Sequence, residues 1–296
     1  MSFSGFSCIH THTTFCDGHD DVETFCQTAY EKGLVSLGFS AHAPIPKSSG
    51  IINSCNMPEE RVEKYMEEIL AAKKRWSGKL PVYLGLEVEF IEGITSPADL
   101  CYQELDLDYI IGAVHYITAP NGNRFVIDGP PDQLDKDIQE SFGGDPAGLV
   151  EAYFNAMVLM IRAGGFDFLA HPDLIRKNNT ALTLAGKPLF RESDETYRNH
   201  ITALAALMGK TGIVAELNTG GLIRGKTSEC YPSLEFLKLL REQGVSMVIN
   251  ADAHRARSLG GHYEDASHAM LAAGYTEHLL FEGRENDRAV WKRAEF

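Results

Sequence analysis

The sequence predicts one α/β domain spanning residues 1–296, folded as a barrel or distorted barrel, and three observations carry that expectation. Short apolar, β-branched-rich runs alternate with helix-like stretches along the whole chain, the pattern of strand–helix units around a parallel sheet. The runs are apolar almost without interruption, as strands buried on both faces must be. The polar residues that end them are mainly histidines and carboxylates, at the edge where barrel enzymes build their sites.

The strand candidates are 6–10, 35–40, 82–90, 109–115, 166–171, 212–218 and 246–253, with a late run at 278–283 as an eighth strand or an edge piece. Between them the helix ends are readable. Asp20 with Glu23 suggests a capping box, and Gly33 closes that helix. Asp145 followed by Pro146 reads as an N-cap and first helical position. Leu149, Tyr153, Ala156, Met157, Met160 and Ile161 then form one stripe at helical spacing. Pro232 opens another helix, which ends at Gly244. Two connections, 43–57 and 116–145, are rich in Gly, Pro and Asn and suit lids or rim loops. There is no repeat, linker or low-complexity tract.

Composition narrows the function classes. No apolar run approaches the ~18 residues of a membrane span, and the N-terminus lacks a basic region followed by an apolar stretch. The six cysteines are scattered without a CxxC, which points to reduced thiols and a cytoplasmic protein. The formal charge of −14 argues against nucleic acid as a partner. It leaves room for a small anionic substrate at a locally positive site.

The strand ends deliver that site. In order they carry His10 and His12, His42, Glu87, His115, His171, and Asp252 with His254. His10 and His12, like Asp252 and His254, are two residues apart and point the same way in extended backbone. A lone histidine at a strand end is ordinarily structural, and a single HxH is weak. Six of the eleven histidines ending apolar runs on one rim is a different matter. Imidazole with carboxylate suits zinc, manganese or iron. With Asp17 just beyond the first pair, the ligands are too many for one ion and suit two or three. Three dications bring about +6 against the carboxylates of Asp17, Glu87 and Asp252, giving a cavity that attracts phosphate. His19 shares the Asp17 loop and is the alternative ligand. His200, His262, His268 and His278 read as structural or surface residues.

These motifs, in order, are HTH at 10–12, CDG at 16–18, SAH at 40–42, GLE at 85–87, VH at 114–115, AHPD at 170–173 and ADAH at 251–254. The set resembles the polymerase-and-histidinol-phosphatase (PHP) superfamily from end to end. FSAHAPIP, HPDLIRKN (171–178), and NTGGLIRG followed by CYPS (218–233) are most similar to its monofunctional histidinol-phosphate phosphatases. The resemblance implies a distorted (β/α)7 barrel with a trinuclear centre. It implies that His10, His12, Glu87 and Asp252 hold one metal, that bridging Glu87 with His115 and His171 hold a second, and that Asp17, His42 and His254 hold a third. Asp17, His42, Glu87, Asp252 and His254 are then the catalytic residues.

The implied reaction is hydrolysis of L-histidinol phosphate, in histidine biosynthesis, by a hydroxide bridging two metals. A metal-bound water or a rim residue would protonate the leaving alcohol. Arg176 and Arg224, each a few residues past a strand end, are the expected phosphate ligands, since a guanidinium fork holds two oxygens at once. Lys177 and Arg255 are lesser candidates. Asn218 either contacts substrate or caps a turn. Three other readings compete: the same chemistry on another small phosphomonoester, phosphotyrosine or nucleotide; amide hydrolysis by a barrel amidohydrolase; and a metal-binding barrel without catalysis. The ligand load at Asp17 and His42 and the two loop arginines are more than a C–N hydrolase requires.

Overall fold

A computed structural model describes residues 5–51 and 53–296. Residues 1–4, in the stretch read for a leader, and residue 52, in the 43–57 connection, lie outside the described residues. The strands are β1 (Ser7–Cys8), β2 (Ser36–His42), β3 (Val82–Glu89), β4 (Tyr109–Ala113), β5 (Tyr116–Thr118), β6 (Arg124–Val126), β7 (Phe168–Leu169), β8 (Val214–Asn218), β9 (Met247–Asn250), β10 (Glu277–Glu285) and β11 (Arg288–Glu295). The helices are α1 (Val22–Lys32), α2 (Val62–Arg75), α3 (Leu100–Gln103), α4 (Pro131–Phe142), α5 (Pro146–Ala163), α6 (Arg176–Leu184), α7 (Glu195–Thr211), α8 (Gly220–Ile223), α9 (Leu234–Glu242) and α10 (Tyr263–Ala272).

One sheet runs in the order β1-β2-β3-β4-β7-β8-β9-β10-β11, parallel until β11 turns back along β10. The fold is α/β with a mostly parallel sheet, as the alternation predicted. The strands expected at 6–10 and 166–171 shrink to two residues each, because the backbone leaves the ladder where it delivers His10 and His171. The late run at 278–283 is a parallel strand that continues into a closing hairpin. The backbone beyond β1 also meets the backbone beyond β9: Thr11 bridges Ala253, His12 N–H donates to the Ala253 carbonyl at 2.9 Å, and Ala253 N–H donates to that of His10 at 3.1 Å.

Two apolar layers hold this arrangement. The larger packs the helices on the sheet and includes Phe25, Phe39, Tyr65, Tyr153, Met157 and Phe236. The smaller joins Ile9, Tyr109, Ile111, Phe168, Val248 and Phe281 on the inner face, so strands far apart in the sheet order meet there. Tyr109 fills its centre and donates its hydroxyl to the Ile9 carbonyl at 2.7 Å. Gly85 makes room for it: a Cβ at that position would lie 2.5 Å from the Tyr109 ring.

The helix ends correct the sequence reading in detail. Asp21, not Asp20, caps α1 by accepting from Thr24 N–H at 2.8 Å, while Asp20 accepts from Ala256 N–H. Gly33 ends α1 at φ 74°, in the left-handed region that glycine tolerates. Asp145 and Pro146 open α5 as expected, and its apolar stripe is buried apart from half-exposed Ala156. The α9 cap is Ser233, with Pro232 just before it. The 116–145 segment is no open loop: it forms the β5–β6 hairpin and then α4, whose Leu134 and Ile138 are buried.

Candidate metal centre

Strand parity explains most of the site. Tyr109, Ile111 and Ala113 face the inner cluster, so two residues further on His115 emerges on that side. Gly85, against the Tyr109 ring, sets the same phase for Glu87 and Glu89. Gly38, whose Cβ would meet the Tyr109 hydroxyl, sets it for Ser40 and His42. Val214 leads to Glu216 and Asn218, and Val248 to Asn250 and Asp252. His171 is out of phase with Phe168 and Ala170, and its backbone is turned to φ 25°; Asp252 sits at φ 48°. Non-glycine residues held at positive φ cost of order 1–3 kcal/mol and cluster at functional sites.

Glu87 lies at the centre, 1% exposed. Its Oε2 is 2.9 Å from His42 Nδ1, 3.3 Å from His10 Nε2 and 3.5 Å from His12 Nε2. Its Oε1 is 3.1 Å from His171 Nε2 and 3.9 Å from His115 Nε2. Asp252 Oδ1 lies 3.3 Å from His12 Nε2 and 3.7 Å from His10 Nε2. To one side, Asp17 stands 3.8 Å from His12 and from His42, and 3.3 Å from His254 Nε2. Ligand atoms gather within 4.8 Å in four overlapping sets: His12, Asp17, His42 and His254; His10, Glu87 and His171; His10, His12 and Asp252; His42, Glu87 and His115. Asp17 faces the cluster, whereas His19 is exposed and belongs to none of these sets. The turn that brings Asp17 in needs Gly18, where a Cβ would lie 2.1 Å from the His12 carbonyl oxygen.

Charge is divided unevenly here. Burial alone would raise the carboxyls of Glu87 and Asp252; the histidines around Glu87, and Arg224 and His10 beside Asp252, hold both well below the usual range. Burial opposes protonation of His10, yet Glu216, Glu87 and Asp252 raise it well above its ordinary value. Burial likewise opposes protonation of His115, which Glu89 and Glu87 lift to about 10. Burial and the neighbouring His254 and His42 push His12 down to about 3. Four buried ligand atoms, His10 Nε2, His12 Nε2, Asp17 Oδ1 and Glu87 Oε2, make no hydrogen bond among the described residues. Leaving such groups unpaired costs about 1–3 kcal/mol each. Divalent cations among them would relieve all four, and the mixed imidazole and carboxylate donors suit zinc, manganese or iron.

The cluster floors a cavity of about 740 Å³, overhung by β6 and the start of α4. Arg224 reaches it, donating to Asp252 Oδ2 at 2.8 Å and to the Asp252 carbonyl at 3.1 Å. Arg176 does not line it. Expected beside Arg224, it is instead 6% exposed and bonded to Glu192, the Cys230 carbonyl and Glu229, with Asp173 at 3.7 Å. Its neighbour Lys177 takes the cavity position and pairs with Asp128 at 2.7 Å. Arg255 is exposed and outside the cavity. Asn218 is fully buried; its amide donates to Glu216 and its carbonyl oxygen accepts from Gly220 N–H, so of its two expected roles it takes the turn cap.

Sequence reasoning passed over Glu89, Asp128 and Glu216. For two of them a signal was present: Glu89 follows Glu87, and Glu216 precedes Asn218, by the two-residue step that links His10 to His12. Asp128 sits in a rim segment whose place is set by Asn178, which donates to the carbonyls of Ile127 and Gly129.

The PHP domain family matches residues 9–220. The chain belongs to the PHP domain family. Among similar PHP relatives, a Deinococcus radiodurans protein named "Probable histidinol-phosphatase" is 29% identical over 89% of this chain and 92% of its own. The histidinol-phosphatase of Bacillus subtilis is 25% identical over 86% and 96%. The fold is similar to that of histidinol phosphate phosphatase from Lactococcus lactis, whose crystal structure is complexed with zinc, L-histidinol and phosphate; the TM-score is 0.69 at 16% identity, covering 97% and 99% of the two chains.

Proposed function

We propose that this PHP protein is a metal-dependent phosphomonoesterase that hydrolyses L-histidinol phosphate to L-histidinol and phosphate. The observation that carries the reading is the convergence on Glu87 of buried, unpaired ligand atoms from five strand ends at the floor of one cavity. The names of the two relatives supply the substrate. In the ligand scheme His10, His12, Glu87 and Asp252 hold one ion, Glu87, His115 and His171 a second, and Asp17, His42 and His254 a third. The pairing of backbone beyond β1 and β9 supports a sheet closed as a distorted (β/α)7 barrel in one domain.

Bound divalent ions supply Lewis acidity at the phosphoryl group and make water nucleophilic near neutral pH. The chain's own groups do the rest. Arg224, its fork anchored by Asp252, faces the cavity and holds non-bridging phosphate oxygens. Asp252 and His254 are fixed against each other, His254 Nδ1 donating to the Asp252 carbonyl at 3.1 Å, so that His254 Nε2 faces Asp17. Lys177, neutralised by Asp128, adds a second cationic head at the wall. The overhanging β6 and α4 limit water around the reacting group.

The test is phosphate release by metal-reconstituted protein from a panel of histidinol phosphate, phosphoserine, phosphotyrosine and nucleotides. Histidinol phosphate is expected to give the highest kcat/KM; a better substrate elsewhere in the panel refutes the assignment.

A further inference from the structure

We infer that Glu216 and Glu89 are positioning residues that dictate which nitrogen of His10 and of His115 is free to bind metal. The inference rests on the proposed metal centre and concerns hydrogen-bond polarity, which the structure fixes from groups that have no choice. A backbone N–H can only donate. The N–H of Gly220 donates to Asn218 Oδ1 at 2.8 Å, so the amide of Asn218 has one orientation and its Nδ2 donates onward to Glu216 Oε2 at 2.8 Å. The N–H of His171 donates to the same oxygen at 3.0 Å. Glu216, fully buried, therefore acts as an acceptor on Oε2, and its other oxygen lies 2.7 Å from His10 Nδ1. A carboxylate accepts there as well. His10 must carry its proton on Nδ1, and its Nε2 lone pair is left facing Glu87 and Asp252.

Glu89 repeats the device from β3. Its Oε1 accepts from His115 N–H at 2.6 Å and from Tyr116 N–H at 3.1 Å, and its Oε2 lies 2.8 Å from His115 Nδ1. His115 Nε2 is thereby left for the side facing Glu87. In both cases one carboxylate oxygen is committed to fixed donors and the other to a ring. Glu216 also ties two places together, since it orients the His10 ring and holds the backbone of His171 at its strained φ of 25°.

The chemistry makes glutamine a poor substitute. In Glu216→Gln one arm is a donor. Turned towards Asn218 and the His171 N–H, that arm opposes two donors. Turned towards His10, it asks Nδ1 to accept, which moves the proton to Nε2 and blocks the metal-facing lone pair. Glu89→Gln meets the same conflict.

Two measurements test this. The first is nitrogen-15 NMR of histidine-labelled, zinc-loaded wild-type protein, with expected protons on Nδ1 and metal on Nε2 for His10 and His115; metal on Nδ1 of either overturns the inference for that residue without any variant. The second is zinc affinity by chelator competition at fixed pH, with the melting temperature of each metal-free variant as a folding check. Glu216→Gln and Glu89→Gln are expected to weaken at least one zinc by about 10–100-fold, close to the loss in the alanine variants. Glutamine variants that bind zinc like wild type would overturn it. If either glutamine variant fails to fold, the wild-type spectrum decides. Wild-type protein that takes up no zinc would instead refute the metal centre itself.

Discussion

Arg224 and Arg176 look alike in the sequence, each a basic residue a few positions past a strand end, yet they sit in opposite environments. Arg224 opens onto the cavity and leans on Asp252. Arg176 is buried among Asp173, Glu192 and Glu229, where it fastens the segment after His171 to the segment before Ser233. Strand-end residues have their direction set by pleat parity. Loop residues take theirs from whichever partners the tertiary structure offers, and acidic partners reached Arg176 first.

The sharpest contrast to either arginine comes from the cluster itself. Glu87→Ala removes the carboxylate that touches four histidines, and is expected to lower kcat/KM by about 10³-fold or more, with loss of metal measured on the same protein. His10→Ala should leave at least one metal position unfilled. Next, Arg224→Ala is expected to cost about 10–100-fold in kcat/KM, the worth of a charge-assisted contact. In Arg176→Ala the buried Asp173 loses its counter-charge, so the melting transition should fall by the equivalent of about 2–4 kcal/mol while kcat/KM of the folded enzyme stays within a few-fold. A large loss of kcat/KM with unchanged melting would restore Arg176 as a phosphate ligand and break the comparison.

The smallest effect separates the empty from the loaded cluster by pH. His10, His42 and His115 are raised, so in metal-stripped protein their contribution to stability is present below about 6.5 and fades as pH climbs towards about 10. His12 is lowered, so it acts the other way, costing stability as pH falls below 6.5. Metal binding needs deprotonated imidazoles and should strengthen over the same alkaline range. Melting of stripped and loaded protein between pH 6.5 and 9 should therefore diverge; parallel curves would mean these histidines do not exchange protons for metal.

The ordered histidines and acids were legible because each closes an apolar run, and a buried strand leaves its last inward residues little freedom of direction. The rim was less so. The 116–145 segment reads as loop from its glycines and prolines, but Leu134 and Ile138 found an apolar seat and made a helix of part of it. The N-cap of α1 moved from Asp20 to Asp21 because Asp20 was taken by Ala256 N–H, 236 residues away in sequence.

By itself, then, the sequence determined the α/β alternation, the PHP motifs and the set of ligands on one rim, since these follow from local periodicity and residue chemistry. Tertiary structure alone decided that Asp17 rather than His19 faces the cluster, that Arg224 rather than Arg176 meets the cavity, and that Glu216 and Glu89 stand behind His10 and His115. Those choices depend on hydrogen-bond donors and counter-charges brought together from distant parts of the chain, and no local pattern encodes which of two nearby polar side chains will reach them.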